Sequence, residues 1–115
     1  MRREFNKKDL FNCKNNSVDT ESIINKPLSY ITASSYNDLV KRDGEDIDMT
    51  LIAIVALDKD SEEIVYIASP SPTLYDSVCD MMLYANECEE SEEVIFKIVK
   101  KKSKAGRAFY ICELL

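Results

Sequence analysis

The sequence predicts an all-β domain with one helix, built as a five-stranded barrel in the order strand, strand, strand, helix, strand, strand. Three observations carry this. The segment Met49–Leu57 is apolar on both alternating faces, as a strand covered on both sides must be. A single helical pattern, Leu74, Val78, Met81, Met82 and Ala85, recurs at spacings of three and four. The chain closes on two β-rich runs separated by a short turn containing Gly106.

Taken in order, residues 1–27 are rich in Asn and charge, show no sustained period and end at Lys26-Pro27, so they read as a flexible arm or loosely docked segment. The domain proper is 28–115. Leu28–Thr32 is read as a short first strand, and Ser34–Lys41 as a helical turn or irregular stretch closed by Asp43-Gly44. The strand from Asp48 to Leu57 is expected to be central. A polar break, Asp58–Glu62, turns the chain into the β-branched and aromatic strand Glu63–Ala68.

Ser69-Pro70-Ser71-Pro72-Thr73 announces the helix. Either Ser71 caps it with Pro72 at the first helical position, or Thr73 caps it with Asp76 three residues on. The acidic connector Glu87–Glu93 is unfavourable at a helix's negative end, which predicts a stop near Asn86. Strands Val94–Lys102 and Arg107–Leu114 follow, joined by Ser103–Gly106. The resulting order is that of an oligonucleotide/oligosaccharide-binding barrel, whose helix sits between the third and fourth strands.

Composition restricts the chemistry. With 115 residues and 45% hydrophobic content the chain supports one core. It contains no histidine, which removes the commonest general base and the Ser-His and Cys-His nucleophile arrangements. Acids such as Asp46, Asp48, Asp58, Asp60, Glu62 and Glu63 flank predicted strands as solvated ends, a poor basis for a metal nuclease. Cys13, Cys79, Cys88 and Cys112 form no Cys-x-x-Cys pair and read as reduced, with Cys79 and Cys112 inside apolar segments as small hydrophobes. The expectation is a non-enzymatic module with no cofactor and no metal. The basic, polar N-terminus lacks the apolar run of a secretory signal, which points to the cytoplasm.

The net charge of −6 is strongly segregated. Lys97, Lys100, Lys101, Lys102, Lys104 and Arg107 share one eleven-residue window, leaving 9 basic against 21 acidic groups elsewhere, a balance of −12. Such segregation focuses an anionic ligand on one patch while the remainder keeps the protein soluble. A four-residue turn, Ser103–Gly106, would pair Lys102 with Arg107, Val99 with Tyr110, Ile98 with Ile111 and Lys97 with Cys112. One face then holds Phe96, Ile98, Phe109 and Ile111 as core, and the other presents Lys97, Val99, Lys101 and Tyr110.

Sequence-tolerant binding of single strands combines a cationic groove with aromatic platforms, so Tyr110 among lysines is the first candidate platform. Tyr66 on the third strand, and Phe109 if the register slips by one, are the next. Lys97, Lys100, Lys101, Lys102, Lys104 and Arg107 are the candidate phosphate contacts. The bland alternative is an edge strand protected by lysines.

From about Gly44 to Leu115 the chain resembles the single-stranded-DNA-binding proteins of bacteriophages that replicate by protein priming. The resemblance runs through Met49–Leu57, Glu62–Ala68, Thr73–Val78 and Phe96–Lys100, and is densest at Ser103-Lys104-Ala105-Gly106-Arg107-Ala108-Phe109-Tyr110-Ile111-Cys112-Glu113-Leu114. It implies an oligonucleotide-binding fold, a role coating strands exposed in viral or mobile-element replication, and carry-over of the paired aromatics to Phe109 and Tyr110 and of the turn lysine to Lys104. The run Lys100-Lys101-Lys102 departs from the family pattern and rests on charge alone. The chain ends on its last strand, without the acidic tail by which cellular relatives recruit replication enzymes.

The competing expectation, motivated by the −12 outside the hairpin, is a small acidic phage protein that binds and inhibits a host protein. Base stacking does not read the sugar, so RNA stands open beside DNA as a ligand. Self-association through the last strand and contacts with host or replication proteins are also open from sequence.

Overall fold

The computed structural model describes residues 1–115 and is mostly β: one five-stranded antiparallel sheet with two helices. The elements run α1 (Lys7–Asn15), a 3-10 turn (Thr20–Ile23), β1 (Leu28–Arg42), β2 (Glu45–Asp58), β3 (Glu63–Ser69), α2 (Pro72–Glu87), β4 (Ile95–Lys102) and β5 (Ala108–Leu114). The sheet order is β3-β2-β1-β4-β5. The predicted barrel is not closed, because β3 and β5 are the sheet's two edges and do not pair. No helix is long and apolar enough to cross a membrane.

The expected elements from β2 onward are present, with ends within three residues of those read from sequence. β2 lies inside the sheet, and Ile52–Ala56 are buried on both faces. Ser71 caps α2, its hydroxyl accepting from the Leu74 N–H at 3.3 Å, with Pro72 at the first helical position. Of the two caps open in sequence, Ser71 is the one used.

Three expectations are corrected. Ser34–Lys41 is not a helical turn but the continuation of β1, which pairs with β2 from Leu28↔Asp58 to Arg42↔Glu45. The two-residue turn Asp43-Gly44, with φ of 51° and 79°, reverses the chain as a tight hairpin turn does, so the strand extends to its tip. Beyond Tyr36 this hairpin is largely solvent-exposed, and its apolar alternation is correspondingly faint.

Residues 1–27 are not a loose arm, and the domain therefore has two helices rather than one. Asn6 and Asp9 form a reciprocal capping box, each side chain accepting from the other's backbone N–H at 2.9 Å. Arg3 grips the Asp9 carboxylate with both guanidinium nitrogens, at 2.5 and 2.8 Å. Buried Cys13 then packs α1 against Ile31, Ala53 and Val55. The two faces of β2 are covered by different helices, α1 on one and α2 on the other.

The two cores follow from β2's alternation. Ile52, Ile54 and Ala56 face α2 with Leu28, Phe96, Ile98, Leu74, Val78 and Met81, while Ala53 and Val55 face α1. A fully buried Leu, Ile or Phe contributes about 1.5–3 kcal/mol, so the α2 side dominates the stability.

The sheet edges are occupied. The Val18 N–H donates to the Tyr66 carbonyl on β3 at 2.8 Å. On β5, the Thr73 hydroxyl donates to the Tyr110 carbonyl at 2.9 Å, and the Cys112 N–H donates to the Ser77 hydroxyl at 2.8 Å. The centre of β5, the edge that could pair with a copy of itself, is thus capped by α2.

Candidate nucleic-acid interface

The β4–β5 connection spans Ser103–Arg107, one residue longer than a four-residue turn. The Ser103 N–H donates to the Arg107 carbonyl at 2.9 Å, the Ser103 hydroxyl accepts from the Arg107 N–H at 3.2 Å, and Gly106 supplies φ 82°. The register becomes Lys102↔Ala108, Lys101↔Phe109, Lys100↔Tyr110, Val99↔Ile111, Ile98↔Cys112 and Lys97↔Glu113. Because the side-chain period is two, this one-residue slip exchanges the faces of β5. Tyr110 moves to the side of Ile98 and Cys112, and Phe109 takes its place beside Lys101 and Val99.

Each candidate residue is thereby relocated. Tyr110 packs its ring against the main core and donates its hydroxyl to Glu21. Lys100 donates to the same Glu21 oxygen at 2.6 Å. The Lys100 and Tyr110 hydrogen bonds together hold the Glu21 carboxyl below its usual range, and the same contact raises the Tyr110 phenol and the Lys100 ammonium. Lys101 pairs with Glu113 at 3.2 Å, and Lys97 stands directly opposite that acid. Lys102, Lys104 and Arg107 are exposed and make no ion pair. Tyr66 lies apart, packed on the Ile31–Ala53–Val55 cluster on the α1 side of the sheet.

A groove of about 690 Å³ joins the hairpin to the rest of the fold. Arg107, Phe109 and Tyr110 form one bank, Pro70 and Pro72 lie before and at the start of α2, and Arg42 reaches in from the tip of the β1–β2 hairpin. Two guanidiniums present rigid, planar donors suited to phosphate, and Phe109 with two prolines offers apolar surface beside them. Arg42 is the contributor that sequence reasoning missed. Its signal was Lys41-Arg42 immediately before Asp43-Gly44, a basic pair at a hairpin tip.

Glu21 was also unforeseen. It sits in the 3-10 turn, capped by Asp19, and neutralises the two groups that the lysine-plus-tyrosine pattern offered to a ligand. Among the candidate cations Lys97, Lys102, Lys104 and Arg107 make no ion pair, nor does Arg42, and of these Arg42 and Arg107 line the groove.

Comparison with protein-family models, with curated proteins and with solved structures yields no match, so the reading of this groove rests on its own geometry.

Proposed function

We propose that the protein binds single-stranded nucleic acid, DNA in the first instance, without sequence preference, as a strand-coating factor in viral or mobile-element replication. The observation that carries this reading is the groove that gathers Arg42, Arg107, Phe109 and Tyr110. The guanidiniums neutralise phosphates, and the rings stack bases, each worth about 1–3 kcal/mol.

The architecture agrees with a partly open oligonucleotide-binding barrel. That fold binds its ligands between the β1–β2 and β4–β5 loops and on the face of β2 and β3. Arg42 and Arg107 belong to those two loops. The β2–β3 face is covered by α1, so the loop-lined groove takes the ligand in this chain.

The test is a titration of fluorescein-labelled oligo-dT of about 30 nucleotides, longer than one site of about 4–16 nucleotides, at low and moderate salt, with a duplex of equal length as control. Salt-weakened binding to the single strand and little to the duplex is expected. No binding at low salt overturns the proposal.

One observation favours a second reading, inhibition of a cationic host protein: residues 60–96 carry ten carboxylates and neither lysine nor arginine. That reading expects tight capture of a basic partner and no affinity for oligonucleotides.

A further inference from the structure

The two helices lie on opposite faces of the sheet, and each presents an exposed stripe outside the groove, although Lys14 on α1 also lies over the Tyr36 ring, 5.5 Å from its centroid. On α1 the stripe is Lys7, Phe11 and Lys14, at helical spacings of four and three, with Lys8 beside it. Phe11 is 62% exposed, and the one acid of α1, Asp9, is buried under Arg3. On α2 the stripe is Asp76, Asp80, Leu83, Tyr84 and Glu87. Leu83 is 66% and Tyr84 49% exposed, and the helix contains no basic residue. An aromatic flanked by lysines thus faces away from one side of the molecule, and two large apolar side chains flanked by carboxylates face away from the other.

We infer that α1 of one copy docks on α2 of the next, with Phe11 against Leu83 and Tyr84 and the lysines against Asp80 and Glu87. The occupant is a second copy of this chain because the two stripes are opposite in charge, each carries exposed apolar side chains, and each places its groups at the same helical spacing, Lys7, Phe11 and Lys14 on one and Asp80, Tyr84 and Glu87 on the other. Docking unlike patches on opposite faces gives a heterologous contact, which propagates as an open chain rather than closing as a two-fold dimer. No residue of either stripe lines the groove, so every copy keeps its groove free. A single helix pair falls below the standard interface size, so the association is concentration-dependent and weakened by salt.

Sedimentation velocity on the full chain without oligonucleotide tests this independently of strand binding. The wild type is expected to gain mass with concentration at low ionic strength and to return to the 13.1 kDa protomer in high salt. Lys7→Glu/Lys8→Glu and Asp80→Lys/Glu87→Lys should each remain protomeric. Three of these changes are neutral or favourable to the helix dipole, and circular dichroism verifies the fold. An equimolar mixture of the two variants brings together the wild-type pair of stripes and a charge-reversed pair, and is expected to regain association. Should a charge-reversed variant fail to fold, Phe11→Ala and Leu83→Ala replace it and are expected to lower the association. A wild type that stays protomeric at all concentrations, a folded variant that associates like wild type, or a mixture that does not associate overturns the inference.

Discussion

Phe109→Ala separates strand binding from structural stability most cleanly. Phe109 is half-buried, sits opposite Lys101 and packs against neither core cluster, whereas its neighbour Tyr110 packs on the main core. Truncating a fully buried Phe costs about 3–5 kcal/mol. Phe109 has no such packing to lose, so the expected stability cost is about 1 kcal/mol. Its stacking contribution of about 1–3 kcal/mol should disappear, which at 1.4 kcal/mol per decade weakens binding by roughly fivefold to 150-fold. The assay is the oligo-dT titration at fixed salt with a thermal melt of the same preparation. Tyr110→Ala is the instructive contrast, because it should lower both affinity and melting temperature. A folded Phe109→Ala protein that binds within about twofold of wild type would refute the assignment of Phe109 as a platform.

Arg42→Ala and Arg107→Ala should each flatten the slope of log affinity against log salt by about 0.7, the single-strand value per phosphate contact, as read in the same titration at several ionic strengths. Glu21→Gln removes the carboxylate that occupies Lys100 and Tyr110, so it is expected to tighten binding and steepen that slope; unchanged affinity would mean that neither group meets the ligand. Ser77→Ala leaves the Cys112 N–H without its acceptor and should cost about 1–2 kcal/mol in denaturant unfolding, while raising aggregation through the uncovered β5 edge. Hydrogen bonding to Arg3, aided by the Asn6 N–H, holds the Asp9 carboxyl below its ordinary range. The unfolded chain therefore binds that proton more readily, so Asp9's contribution is complete above the unfolded value of about 3.9 and is lost as pH falls through the lower folded value. Asp9→Asn should flatten the acid limb of a stability-against-pH curve.

The elements that were legible in sequence are those whose signals are redundant. β2 carries a seven-residue apolar run, Leu51–Leu57, and α2 has a periodic core face and the Ser71-Pro72 start. The first half of the chain lacks such redundancy. β1 beyond Tyr36 forms an exposed hairpin, so its residues need not alternate, and only Asp43-Gly44 marks where it turns. α1 buries little more than Cys13, which leaves almost no apolar period; its legible signal was the cap, Asn6 with Asp9, rather than the pattern. The candidate site turned on a single residue of turn length. Four against five residues between Lys102 and Ala108 decides which of Phe109 and Tyr110 joins the core face, and composition does not encode that count. Arg107, Phe109 and Tyr110 all line the groove despite the slip.

The N-terminal segment links the fold to the site. The Val18 N–H is bonded to the Tyr66 carbonyl on β3, and the Asn25 N–H to the Ile98 carbonyl on β4 at 2.9 Å, with Ile24 bridging Ile98 in parallel. The segment between them, which includes buried Ile23, therefore crosses from one arm of the open sheet to the other. Glu21 is carried on that crossing, but none of the crossing's anchors involves its side chain. A phosphate arriving at Lys100 and Tyr110 competes with one half-exposed carboxylate and leaves the backbone bonds of the crossing intact. Affinity and stability are consequently separable at this position. Glu21→Gln should move the oligonucleotide titration while leaving the denaturant midpoint close to wild type, because an exposed ion pair is screened by solvent and contributes little to stability. A large loss of stability in that variant would mean that the carboxylate, rather than the backbone, holds the two arms of the sheet together.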